Sequence, residues 1–156
     1  MRLAALAESP GAFGSRLADW LGDGDREDRW RGRLSIPGSR NVVASLRGEA
    51  SGMASGVPLP PAPHASPPRE SSAVELISLW VAPWARGHGV ADALIEDIVA
   101  WATGLRSPAV WLSVREDNAP AIALYRRWGF EATGERVQDE DQAGAAVEEL
   151  VFRRPL

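Results

Sequence analysis

Residues 79–101 read L-W-V-A-P-W-A-R-G-H-G-V-A-D-A-L-I-E-D-I-V-A-W and constrain the fold more than any other stretch. A short apolar run ends at Pro83. Two closely spaced glycines follow in Arg86-Gly87-His88-Gly89, and then a run of good helix formers. In that run Val90, Leu94, Ile98 and Trp101 recur at spacings of three and four, with Ala91 and Ile95 as a second row. This is the pattern of a helix with one buried face. The unit is therefore strand, glycine turn, helix. Such a turn leaves backbone N–H groups unpaired at the positive end of the helix, where a phosphate or another anion can be received. Glycines in a strand–helix turn also serve steric ends alone, so the residues by themselves admit both readings.

The 156 residues contain no cysteine. That length suits one domain of α/β or α+β type, spanning residues 1–156, able to bury a core without disulfide or metal staples. Lack of cysteine excludes thiol catalysis, zinc–thiolate sites and disulfide frameworks. His64 and His88 are too few and too dispersed for a metal cluster, so no metal site is expected. A net charge of −4 argues against nucleic acid as a partner. No apolar run reaches the roughly 18 residues needed to span a bilayer. The opening MRLAALAESP is broken by Glu8 and does not read as a signal peptide, so a cytoplasmic protein with no membrane partner is expected. The seven tryptophans fall mostly at apolar positions of periodic segments and read as packing residues.

Taken in order, Leu3, Leu6 and Ala7 suggest a short first helix that stops near Ser9-Pro10-Gly11. Phe13, Leu17, Trp20 and Leu21 suggest a second, ended by Gly22 and Gly24. The charged segment 25–33 reads as a solvated helical turn anchored by Trp30 and Leu34. Segments 41–46 and 50–57 read as a hairpin around Arg47-Gly48-Glu49, the second strand weakened by glycine. Residues 58–72 carry six prolines and must be a loop. His64 lies in it and carries little functional weight. A third strand, 74–81, leads into a helix from about 87 to 103, with Gly104 suited to the position just past its end. A fourth strand, 109–114, ends at Arg115-Glu116-Asp117-Asn118, where Asp117 or Asn118 can cap a helix with Pro120 in its first turn. That helix buries Ile122, Leu124, Tyr125 and Trp128 in part. Gly129 stops it, and Phe130 packs back on its last turn. Segments 130–137 and 147–152 read as an antiparallel pair around an acidic turn at 139–145.

Two stretches now line up with one family. Residues 75–91, E-L-I-S-L-W-V-A-P-W-A-R-G-H-G-V-A, contain a strand, an R-G-x-G-x-A turn and a helix start. Residues 114–130, V-R-E-D-N-A-P-A-I-A-L-Y-R-R-W-G-F, resemble an N-x-x-A-x-x-L-Y-x-x-x-G-F block. In this order and spacing the chain resembles the GCN5-related N-acetyltransferases, from about Ala12 to its end. The resemblance implies a mixed, mostly antiparallel sheet with a splayed central strand pair and helices on both faces. One departure is that no strand precedes the first helix. The sheet would then begin near Asn41, with an edge to be covered or left open.

The resemblance also implies a chemistry. Acetyl-CoA is the expected cofactor, with its pantetheine arm along the backbone of Leu79 and Val81. Its pyrophosphate would rest on the amides of Arg86, Gly87, His88, Gly89, Val90 and Ala91. The Arg86 side chain could add charge, or lie in solvent; His88 could approach the phosphate or merely fill the turn. Trp84 stands where many relatives carry glutamine or arginine. Asn118 matches an asparagine that contacts the cofactor arm, and could equally be a helix cap. Glu75 matches a glutamate that deprotonates the amine, often through water; an ordinary strand-end carboxylate is the alternative, and Glu116 and Asp117 are weaker base candidates. Tyr125 matches a tyrosine whose hydroxyl protonates the departing thiolate, against the alternative of a core tyrosine. The implied activity is acetyl transfer to a primary amine through a ternary complex. A non-catalytic acyl-CoA-binding domain would need the same cradle but no acid or base. The acceptor is an amine on a small molecule or a protein, and Asp19, Asp23, Asp25, Glu27 and Asp28 hint at a cationic one. A homodimer is common in the family. A nucleotide-binding reading is disfavoured, since neither G-x-x-x-x-G-K-[ST] nor G-x-G-x-x-G is present.

Overall fold

The computed structural model describes residues 1–13, 15–61, 68–140 and 146–156. Helix α1 (Arg2–Glu8) and helix α2 (Glu27–Leu34) precede six strands and two longer helices. The order is β1 (Arg40–Leu46), β2 (Glu49–Pro58), β3 (Val74–Val81), α3 (Val90–Gly104), β4 (Ala109–Arg115), α4 (Ala119–Arg127), β5 (Glu131–Glu140) and β6 (Ala146–Pro155). The sheet runs β1-β2-β3-β4-β6-β5. Its pairs are antiparallel except β3 with β4, which is parallel and joined only at Val74–Val110 and Glu75–Trp111. Beyond Glu75 the two central strands diverge. The architecture is the expected one: a mixed, mostly antiparallel sheet split at its centre, with helices on both faces. The described residues ahead of β1 form helices and turns, and β1 is an outer strand.

Helix α3 lies on the face toward which Gly52, Ala54 and Gly56 of β2 point. A Cβ at Gly56 would meet the Trp101 ring at 2.4 Å, and one at Gly52 would meet Val90 at 2.9 Å. These glycines, which the sequence presents as weaknesses of the strand, let the helix approach the sheet closely. Ile95 and Ile98 of α3 are fully buried there, each contributing roughly 1.5–3 kcal/mol of apolar burial. Val110, Leu112 and Val114 of β4 gather with Ile122, Tyr125, Phe130 and Phe152 on the same face. The Tyr125 and Phe130 rings meet edge-on at 5.8 Å.

The opposite face carries α1 and α2. Leu76 opposes Gly56 and so faces α3; by alternation Glu75 and Ile77 face the other way. Between Ile77 and Trp80 the register gains one residue on β3. The bulged residue is Ser78, at φ 59°. The bulge puts Trp80 on the α1 face, where its indole Nε1 donates to Glu8 Oε2 at 3.1 Å.

Several local expectations are corrected. Instead of a second α-helix, the described residues make three 3₁₀ turns, Pro10–Ala12, Leu17–Trp20 and Gly22–Gly24, with extended backbone at Phe13, Arg16 and Leu21; Leu21 is exposed. In α1 it is Ala5, not Ala7, that is buried with Leu6. Leu34 does not anchor α2, being 59% exposed; Trp30 does, with its ring 4.4 Å from that of Trp20. Helix α3 starts at Val90 because Gly87 and Gly89 sit at φ 77°. It runs through Gly104, and the left-handed residue past its end is Arg106, at φ 57°, with Ser107 N–H donating to the Ala102 carbonyl at 3.0 Å. Trp84 is exposed, unlike the other tryptophans. His64 and the core of the 58–72 loop, with most of the acidic 139–145 turn, lie outside the described residues.

Candidate active site

The divergence of β3 from β4 opens a cavity of about 1050 Å³. It is lined from the α3–α4 face by Ala91, Asn118 and Tyr125, and from the α1–α2 face by Arg2, Arg33 and Glu75. Leu79 and Val81 line it along β3. The gap therefore runs through the sheet, with one mouth on each face.

At the first mouth, β3 passes through the 3₁₀ turn Pro83–Ala85 into the start of α3. The first helical amide bond is Ala93 N–H to the Gly89 carbonyl at 3.0 Å. The amides of Val90, Ala91 and Asp92 thus have no intrahelical acceptor. Gly87 and Gly89 have open space where a Cβ would project, so a ligand can reach the backbone. Phosphate oxygens fit this cradle in charge and in access. The side chains of the turn do something else. Arg86 Nε donates to the Val81 carbonyl at 3.2 Å, and its Nη2 pairs with Glu8 at 2.9 Å. It ties α1 to the turn. His88 Nδ1 lies 2.9 Å from the Arg86 carbonyl and fills the turn.

Asn118 caps α4, its Oδ1 accepting from Ala121 N–H at 3.2 Å, and also lines the cavity. The helix-cap reading is met, and the same residue borders the cavity. Asp117 does not cap; it pairs with Arg115 at 2.6 Å. Glu116 pairs with Arg136 at 2.8 Å. Neither of these two carboxylates lines the cavity.

Tyr125 is 8% exposed, and its hydroxyl makes no hydrogen bond among the described residues. Burial pushes its pKa up to about 12, so the phenol keeps its proton at neutral pH. Glu75 is half-buried in the cavity, and its carboxylate likewise makes no hydrogen bond among the described residues. Burial pushes its carboxyl above the ordinary range, partly offset by the positive charge of Arg69. A buried carboxyl raised in this way is a better proton acceptor at neutral pH than an exposed one.

Sequence reasoning missed Arg2, Arg33, Ser78, Arg69 and Glu135. Arg69 pairs with Glu135 at 3.3 Å beside the cavity. Arg2 and Arg33 come from two separate helices and meet only in space, so no spacing could have joined them. Asp19, Asp23, Asp25, Glu27 and Asp28 do not line the cavity. Three of them are engaged locally: Asp25 accepts from Trp30 Nε1 at 2.7 Å, Glu27 pairs with Arg31, and Asp28 pairs with Arg26.

The sheet is split at its centre, with a backbone cradle open to an anion at one mouth and Tyr125 and Glu75 lining the gap. The chain matches the Acetyltransferase (GNAT) family over residues 7–130, and it belongs to that family. It is 31% identical over 107 residues to the L-amino acid N-acetyltransferase AaaT of Escherichia coli, covering 67% of this chain and 62% of that protein. The aligned stretches span 17% to 62% of the length of the first curated relatives. The crystal structure of a ribosomal-protein-alanine N-acetyltransferase from Brucella melitensis superposes with a TM-score of 0.72 at 25% identity, over 99% of this chain and 92% of that one. The fold is shared with yncA from Salmonella typhimurium, solved with its cofactor acetyl-CoA, at TM-score 0.72 and 19% identity, over 99% and 85% of the two chains. Enzymes of this fold are in general acetyltransferases.

Proposed function

We propose that this protein is an acetyl-CoA-dependent N-acetyltransferase that moves the acetyl group directly to a primary amine in a ternary complex. The observation that carries the reading is Tyr125, a buried and protonated phenol whose hydroxyl makes no hydrogen bond among the described residues and which lines the gap between β3 and β4. A core tyrosine would ordinarily satisfy its hydroxyl. This one is left for a group that enters the cavity.

The amides of Val90 and Ala91, with access given by Gly87 and Gly89, would hold the pyrophosphate. Leu79, Val81 and Asn118 would border the pantetheine arm. Bound acetyl-CoA supplies an activated acetyl thioester. Glu75, at the other mouth, accepts a proton from the incoming ammonium, directly or through a water, and so delivers a neutral amine. Tyr125 holds the proton that neutralises the departing thiolate. The two groups reach the reacting atoms from opposite faces of the sheet, which keeps the acid and the base apart and separates the entry routes of the two substrates. Two of the relatives carry their acceptor in their names, an L-amino acid and a ribosomal-protein alanine.

Steady-state kinetics with acetyl-CoA and an amine panel test the reading. Release of CoA should depend on the amine, and both substrates should be needed before either product leaves. Release at the same rate with and without amine would contradict it.

A further inference from the structure

Five arginines line the cavity, and three are neutralised. Arg69 pairs with Glu135, Arg86 with Glu8 and Arg115 with Asp117. Arg2 and Arg33 form no ion pair among the described residues. Their guanidinium groups converge instead on one oxygen. Arg33 Nη2 donates to Ser78 Oγ at 2.7 Å, and Arg2 Nη1 approaches the same atom at 3.4 Å. Arg2 is packed over the Phe13 ring at 4.5 Å, and its Nε is buried with no hydrogen-bond partner. Burial and then the charge of Arg33 bring the Arg2 pKa down to about 10. Burial lowers Arg33 as well.

Two half-buried like charges that share a neutral oxygen repel each other and are under-solvated. Such a pair is stabilised by an anion with acceptor oxygens for both guanidinium forks. Strict alternation would send Ser78 toward α3 with Leu76, but its φ of 59° in the bulge turns it to the arginines. The bulge therefore places this cationic corner on the same face as Glu75. Ser78 lies three positions along β3 from Glu75, about 10 Å of strand at most. One end of the acceptor mouth is positive and the other holds a proton acceptor.

We propose that the acceptor is a free amino acid, its carboxylate bound by Arg2 and Arg33 at Ser78 and its amine turned toward Glu75. This rests on the acetyltransferase reading for the fate of the amine, but the binding of the acid stands by itself. It also replaces the cationic acceptor that Asp19, Asp23, Asp25, Glu27 and Asp28 suggest, because those residues lie outside the cavity.

The test is calorimetric titration of the common L-amino acids, their carboxamides and O-phosphoethanolamine into the protein, with and without CoA. At least one free amino acid should bind, with its carboxamide weaker by ~10-fold or more, as expected for loss of a charge-assisted contact. Arg2→Gln and Arg33→Gln should each weaken the acid by a similar factor and leave the carboxamide and CoA unchanged. Equal binding of acid and carboxamide by the wild-type protein would overturn the proposal, as would no amino acid binding in either state, or preference for O-phosphoethanolamine. The wild-type comparison decides even where a variant fails to fold. Acetyl-CoA titrated into the same protein separates the two readings. If it binds while no amino acid does, only this inference falls; if an amino acid binds while acetyl-CoA does not, the acetyltransferase reading falls instead.

Discussion

Trp128 Nε1 donates to Asp92 Oδ1 at 2.8 Å, joining the end of α4 to the first turn of α3. Arg127 reaches the same oxygen at 2.7 Å. These bonds span the side of the molecule where the central strands have parted and share few ladder hydrogen bonds. The clamp fixes the spacing between the anion cradle of α3 and Tyr125 of α4.

Asp92→Ala should therefore widen or loosen the first mouth. The Arg127 pair is largely solvent-exposed and contributes little, so the stability loss should be about 1 kcal/mol, mostly from the indole bond. Urea denaturation measures it. Acetyl-CoA affinity should fall further than that loss alone accounts for, and Trp128→Phe should give a similar, non-additive defect.

Gly87→Val and Gly89→Val test the cradle. Each residue sits at φ 77° in open space, so a side chain meets no protein atom but strains the backbone by about 1–2 kcal/mol. The variants should remain folded by circular dichroism and lose acetyl-CoA affinity by ~10-fold or more. Unchanged affinity in both folded variants would remove the pyrophosphate from this turn.

Much of this was legible in the chain. The 3.6-residue period at Val90, Leu94 and Ile98 revealed α3, and the alternation and β-branching of residues 74–81 revealed β3, because burial of one face leaves a repeating signature. Asn118 and Pro120 marked the start of α4 for equally local reasons. The acceptor mouth was not legible. Arg2, Arg33 and Ser78 belong to three elements that meet only after folding, and a bulge leaves no mark in a hydrophobic pattern. The pairing of Arg86 was not legible for the same reason: its partner Glu8 is 78 residues away. Gly52 and Gly56 were visible, but only the packed Val90 and Trp101 side chains explain them.

Glu75→Gln should lower turnover most where amine deprotonation limits the rate, on the rising limb of the pH profile, with acetyl-CoA affinity unchanged. Stability should respond in the opposite sense. Burial raises the folded carboxyl above its unfolded value, so the folded state binds the proton more tightly and stability falls as pH rises between the two values. The glutamine variant should thus melt higher than wild type at neutral pH, and the difference should vanish in acid below both values. Thermal melts across that range check the sign. A constant difference at every pH would show that the carboxyl is not desolvated.

Tyr125→Phe with acetyl-CoA and a reactive amine acceptor is the most direct measurement. Phenylalanine keeps the edge contact with Phe130 and removes only the hydroxyl. Rapid mixing should show turnover reduced by at least ~10-fold, within the roughly 10²–10⁴ range of a positioned acid, while calorimetry shows acetyl-CoA bound as tightly as in wild type. With a phenol raised to about 12, the wild-type rate should also hold to well above pH 9, because the proton is not lost there. Turnover of the folded phenylalanine variant within twofold of wild type, with the chemical step shown to limit the rate, would contradict the assignment of Tyr125 as the acid.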